Sequence, residues 1–231
     1  MPKFQQLEKK INIKFKNITF LENAFIHRSY LNEHKNFRLP SNERLEFLGD
    51  SVLSLITSVY LFKNFPYLKE GDYTEIKSAI VKTDSLAASA KKIELNLYLL
   101  LSKGEEKSGG RINKNMLADC FEALIGAIFL DSSFETAYEF VVKFLFDNSL
   151  EELIKNEDYL SPKSRLQELI QGKYKTTPQY KILEQTGPEH KRTFKVGVYF
   201  GGKKLGIGTA LSKKEAEEEA AKKAFANLKN L

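Results

Sequence analysis

At 231 residues, with 42% apolar and 12% aromatic side chains, the chain has the size of one large domain or two modest ones and the composition of a folded globular protein. No apolar run approaches the roughly 18 residues of a membrane span, residues 1–20 lack a signal-peptide core, and a lone cysteine, Cys120, excludes an internal disulfide, so a reducing cytoplasm and no membrane partner are expected. The net charge of +6 is uneven: residues 1–157 hold 21 Lys and Arg against 22 Asp and Glu, whereas residues 158–231 hold 15 against 8, the pattern of a basic, polyanion-binding attachment on a near-neutral body.

Residues 3–37 read as short helices, with Leu21, Ala24, Phe25 and Ile26 as a partial apolar stripe. His27-Arg28-Ser29 reads as polar groups tying a turn. A long helix starts at Glu43, with Ser41 or Asn42 as its N-cap, and ends near Pro66. No charge falls between Ser51 and Phe62, so its body is buried. Residues 67–71 form a turn carrying Glu70, and residues 72–92 another helix. A short apolar segment, 95–101, leads into a polar loop, 103–115, with Lys107, Arg111 and Lys114. Residues 116–130 form a second apolar helix, and 133–150 a further one. No strand-like alternation precedes about residue 178, which predicts an all-α N-terminal domain over 1–155.

Residues 156–161 are the predicted linker, and the period changes in 162–231. A helix opens at Ser161-Pro162, with Pro at its first position, and is closed by Gly172. Strands follow over 179–185, 193–200 and 203–211, the last two joined by a Gly201-Gly202 hairpin turn. The final helix begins after Ser212, spaced from Glu215 as a capping box, with Ala216, Ala220, Ala221 and Ala224 lying close to the sheet. The second domain is therefore a small α+β (α-β-β-β-α) unit.

The two apolar helices each carry acids on one face. Glu46 and Asp50 stand at i and i+4, with Glu43 a turn earlier, and Asp119 and Glu122 at i and i+3. Packed together, such helices bring four carboxylates to one place. Like charges on buried helices are costly unless a cation sits among them. Hard oxygen donors without a His or Cys cluster favour Mg²⁺ or Mn²⁺ over zinc. Pairing with Arg44, Arg111 or a lysine, or pointing to solvent where the helix emerges, is the competing arrangement.

Asn42 to Ser51 resembles the signature of the ribonuclease III family, NERLEFLGDS. Leu117-Ala118-Asp119 with Glu122 to Gly126 is similar to that family's second acidic motif. Phe25 to Ser29, Glu70 to Asp72 and Lys107 to Gly110 match in order. Residues 162–231 resemble the double-stranded RNA-binding domain. The resemblance implies a Mg²⁺-dependent endonuclease, with Mn²⁺ able to substitute, that cuts double-stranded RNA to 5′-phosphate and 3′-hydroxyl ends. It implies roles in ribosomal RNA precursor and other RNA processing, messenger RNA included. It implies Glu46, Asp50, Asp119 and Glu122 as metal ligands, Asp50 and Glu122 as the catalytic pair, and Glu43 and Glu70 as auxiliary acids. Gln167, His190, Lys213 and Lys214 match its RNA contacts, and Phe47 its homodimer interface.

Lys213 and Lys214 support the RNA-binding reading independently. They sit in a first helical turn, where the macrodipole disfavours cations unless phosphates lie against that end. One departure stands out: many such domains carry a third basic residue where this chain has Glu217. The alternatives are a non-catalytic double-stranded RNA-binding protein of the same architecture and a helical Mg²⁺ enzyme acting on nucleotides. Retention of every acid of the motif weighs against the first, and the attached RNA module against the second.

Overall fold

Two helices cross at the centre of the N-terminal unit, α4 (Glu43–Asn64) and α8 (Lys114–Asp131), and the rest of that unit is built around the crossing. The computed structural model describes residues 4–188 and 191–229. It divides into two compact units, residues 1–156 and 157–231.

Before the crossing come α1 (Phe4–Ile11), α2 (Ile18–Asn23) and α3 (Arg28–Glu33). Between the crossing helices lie α5 (Glu70–Ile80), α6 (Thr83–Lys92) and α7 (Lys103–Lys107), and after them α9 (Phe134–Val141) and α10 (Asp147–Lys155). Nearly the whole of α8 from Leu117 to Ile128 is buried, Asp119 and Glu122 excepted. The Phe121 and Phe140 rings pack at a tilt with centroids 5.5 Å apart within this core. Each fully buried large side chain of this kind contributes about 1.5–3 kcal/mol. Buried Asp131, at the C-terminal end of α8, accepts from the Lys16 and Asn17 N–H groups at 2.9 and 2.7 Å and so ties the early chain to it.

Glycines let α4 and α8 meet backbone to backbone. A Cβ on Gly49 would lie 1.8 Å from the Glu122 carbonyl oxygen, and one on Gly126 would lie 2.3 Å from that of Leu45. Only residues without side chains at both positions allow that approach. Contrary to the sequence expectation, α4 is long and apolar enough to cross a membrane by length and composition alone. Its Leu45, Val52, Leu53, Ile56 and Leu61 are buried in the protein core.

Several predicted bounds move. Asn42 holds the N-cap position of α4, but its side chain is buried and donates to the Ala24 carbonyl at 3.2 Å instead of capping the helix. The single helix expected over 72–92 is two, broken at Val81 and Lys82, and Glu70 opens the first of them rather than sitting in a turn. The loop over 103–115 contains α7 and a single tight turn at 110–112. The helix expected over 133–150 widens at 142–146 before α10.

In the second unit, α11 (Pro162–Tyr174) is followed by β1 (Gln179–Thr186), β2 (Thr193–Phe200), β3 (Lys203–Ala210) and α12 (Lys213–Lys229). The sheet is antiparallel in the order β1-β2-β3. Ser161 caps α11 by accepting from the Ser164 N–H at 3.1 Å. Gly172 does not end α11; Lys175, in a left-handed conformation, does. The helices pack on one sheet face around Leu166, Ile170, Val198, Ala220, Ala221 and Ala224. The small residues of β3 and α12 face each other: a Cβ on Gly208 would lie 2.1 Å from the Ala216 carbonyl oxygen.

Candidate active site

The α4–α8 crossing also assembles the acids. Glu46 precedes Gly49 by one turn on α4, and Glu122 precedes Gly126 by one turn on α8, so the close approach of the glycines carries both carboxylates to the same edge. Asp119 sits one turn before Glu122. One carboxylate oxygen from each of Glu46, Asp119 and Glu122 lies within 4.8 Å of the others. Asp50 is exposed and stands outside this trio, though its charge acts on both Glu46 and Glu122.

Electrostatics mark the trio as short of positive charge. Burial pushes the Glu122 carboxyl up to about 8, and the charges of Asp50, Asp119 and Glu46 push the same way. Burial raises Glu46 as well, with Asp119, Glu43 and Asp50 adding to it. Burial raises Asp119, which the neighbouring His27 partly offsets. Among the described residues no ion pair reaches Glu46, Asp50, Asp119 or Glu122. Arg111, one candidate counterion, is instead held by both oxygens of Glu106 and by the Asn96 carbonyl. Three converging hard oxygen donors with no protein cation fit a divalent metal ion.

The surrounding acids divide. Glu43 accepts from the Ser41 hydroxyl at 2.8 Å and lies 3.9 Å from Arg28, adding negative charge beside Glu46. Glu70 is exposed at the start of α5, 3.3 Å from the Thr74 hydroxyl, and is not one of the clustered three. His27, read as tying a turn, does so: its Nδ1 accepts from the Ser29 N–H as the cap of α3. It also stands within electrostatic reach of Asp119, a placement that its sequence position did not reveal. Burial lowers the pKa of His27, opposed by the charges of Glu105, Asp119 and Glu43.

Gly49→Ala tests the assembly. The added methyl would sit inside the Glu122 carbonyl, so the helices must part, at about 1–3 kcal/mol. Activity should fall at least tenfold, with a drop in melting temperature seen by circular dichroism. Wild-type values in both would show that the close approach is not what positions the acids.

Phe47 projects away from this core, 78% exposed. Leu55 and Phe62, at 54% and 73%, follow it along the same face of α4, with Ser51 and Ser58 between them. In the second unit Gln167, Lys213 and Lys214 are all exposed, the lysines in the first turn of α12. His190 lies outside the described residues.

Residues 17–149 match the family model described as ribonuclease-III-like, and residues 162–228 that of the double-stranded RNA binding motif. Ribonuclease 3 of Treponema denticola is 44% identical over 223 residues, 96% of this chain and 90% of that protein. Ribonuclease 3 of Enterococcus faecalis is 43% identical over 96% of each. The solved nuclease domain of ribonuclease III from Campylobacter jejuni, described for flexibility in a region involved in dimer formation, has a TM-score of 0.58 at 36% identity, covering 62% of this chain and 96% of that one. A helical nuclease domain with a clustered acid site, followed by a duplex-binding module, defines an endoribonuclease of double-stranded RNA. The chain belongs to the ribonuclease III family.

Proposed function

We propose that this protein hydrolyses phosphodiester bonds of double-stranded RNA with Mg²⁺ or Mn²⁺, leaving 5′-phosphate and 3′-hydroxyl ends. The observation that carries this is the convergence of Glu46, Asp119 and Glu122, which no ion pair reaches among the described residues. In this reading residues 1–155 are the catalytic domain, 156–161 the linker and 162–231 the RNA-binding domain. Its cellular work is the maturation of ribosomal RNA precursors and other RNAs in the cytoplasm, a setting taken from its family relationship.

Glu46, Asp119 and Glu122 would hold the metal. When bound, a divalent ion supplies Lewis acidity, acidifying a water nucleophile and neutralising charge that develops on the phosphate oxygens. Burial of Glu122 keeps that carboxylate close to the metal position and away from bulk solvent. Asp50, exposed at the rim, would complete the ligand set, and with Glu122 would form the pair on which the rate depends most. Glu43 and Glu70 add negative charge from outside the inner set. In the second domain, Lys213 and Lys214 take phosphates at the N-terminal end of α12, while Gln167 and His190 reach the minor groove, where duplex RNA displays its 2′-hydroxyls.

One acidic set per chain meets a substrate of two antiparallel strands. A two-fold homodimer through the exposed face of α4, with Phe47 entering the partner, presents two equivalent sites to them. An apolar stripe of this kind on a folded domain marks an association surface.

The chemistry is tested by mapping product ends: cleavage of a duplex should give termini that a phosphate-dependent 5′ exonuclease accepts without pretreatment. Products with 5′-hydroxyl ends would exclude this route. Removing residues 158–231 should weaken duplex binding at least tenfold and flatten its salt dependence, because fewer counterions are released. The shortened enzyme should still cut at low salt and high concentration. An unchanged affinity and salt slope would show that the second domain does not hold the substrate.

A further inference from the structure

Glu217 occupies an unusual place for an acid in a phosphate-binding module. Its side chain is only 12% exposed, and its two oxygens serve two lysines. Oε2 lies 2.5 Å from the Lys163 ammonium of α11, and Oε1 3.9 Å from that of Lys213, one turn earlier on α12. Lys163 is further held over the Tyr180 ring, 4.8 Å from its centroid. The neighbouring Glu218 accepts from the Lys163 backbone N–H at 3.0 Å, so α12 supplies two acids to the start of α11. Three cations therefore cluster where α11 and α12 begin, Lys163, Lys213 and Lys214, and a largely buried carboxylate engages two of them.

We propose that Glu217 limits the grip of this module on duplex RNA by holding Lys163 and Lys213 to itself. The inference rests on the reading that Lys213 and Lys214 face phosphates, and it adds that their strength is restrained. A phosphate approaching Lys213 meets the Glu217 carboxylate behind it, which repels the anion and competes for the ammonium. Because Glu217 is mostly buried, salt screens its charge less than that of a surface acid. An enzyme that must release two cut strands gains turnover from such restraint, because product leaves sooner. Loss of the Glu217 charge returns one net positive charge to the cluster and frees two ammonium groups for phosphate.

The test uses the full chain without metal, so that duplex RNA is bound and not cut, across a series of salt concentrations. Glu217→Gln should bind about 3–10-fold tighter at low salt and steepen the slope of log affinity against log salt by up to about one unit, the effect of one further phosphate contact. Glu217→Asp, which keeps the charge, should stay within twofold of wild type. Glu184→Gln, which removes an exposed acid paired with Lys195 on the sheet, controls for net charge and should change affinity less than twofold. Glu217→Met repeats the measurement if melting by circular dichroism shows that the amide disturbs the fold. A folded Glu217→Gln or Glu217→Met protein that binds no tighter than Glu184→Gln overturns the proposal. Lys213→Gln with Lys214→Gln separates the two levels: weakened binding there upholds the phosphate reading whatever Glu217 does, and unchanged binding removes that reading and this inference together.

Discussion

Glu122→Gln should reduce cleavage of duplex RNA by about a hundred- to a thousandfold, while duplex affinity measured without metal stays within about threefold of wild type. The substitution keeps the volume of the side chain and removes the charge at the most buried member of the acid trio. A metal ion held by three carboxylates would lose a charged ligand, and loss of one group that stabilises charge at the reacting centre costs about 2.7–4 kcal/mol of barrier. Binding is spared because most of the affinity for a duplex comes from phosphate contacts of the basic module. A folded variant with near wild-type turnover at saturating Mg²⁺ would remove Glu122 from the site.

The same residue predicts a pH dependence of stability. Its folded pKa, about 8, lies above that of a carboxyl in an unfolded chain, so folding favours the protonated form. Metal-free protein is therefore most stable below the unfolded value near 4.5 as far as this group is concerned, and it loses that contribution as pH rises through about 8. Glu122→Gln, which carries no charge to bury, should flatten the fall in melting temperature between about pH 4.5 and 8. Added Mg²⁺ should raise the wild-type melting temperature more at the higher pH, where the carboxylates are ionised. A wild-type protein whose metal-free melting temperature rises steadily over that range would contradict the burial of Glu122.

Phe47→Asp should turn a dimer into a monomer without disturbing the fold. Phe47 is 78% exposed in the single chain, so the substitution removes little packing within it. In a two-fold interface through α4, the new charge and its copy would both be buried without partners, at several kcal/mol. At about 1.4 kcal/mol per factor of ten, the dimer weakens by at least a hundredfold. Double-strand scission should fall with it, while Glu122→Gln chains mixed with wild type should give dimers that nick one strand. Sedimentation velocity, with circular dichroism as the folding check, measures the first effect. A folded Phe47→Asp protein that still sediments as a dimer would place the interface elsewhere.

The sequence already contained the two acidic helices, because carboxylates spaced three and four apart in apolar runs have few solvated alternatives. It also contained the architecture of the second unit, since alternation at Phe194, Val196 and Val198 and the turn at Gly201-Gly202 are local signals. What brings the acids together was harder to read. Gly49 and Gly126 interrupt helices that have no local need for glycine, which is the mark of a close backbone approach, but only the fold pairs them. The break at Val81 and Lys82 carries neither glycine nor proline, so nothing in the residues announced it. Gly172 was misleading for the opposite reason: it lies inside α11, and a lysine takes the left-handed position beyond it. The exposure of Phe47 followed from the family resemblance alone, because a phenylalanine in an apolar helix reads the same whether it faces its own core or a partner. Lys163 and Glu217, 54 positions apart, have no relation that a local pattern could show.

The most direct measurement is a Mg²⁺ titration of cleavage, with a long RNA duplex and the single strand of the same sequence as substrates. The duplex should be cut to short double-stranded products with a rate that rises from zero with Mg²⁺ and saturates, Glu122→Gln should leave it intact at every concentration, and the single strand should survive. Binding of the duplex without cleavage at any Mg²⁺ concentration, or cleavage undiminished by a chelator, would contradict a metal-dependent double-strand nuclease built on these acids.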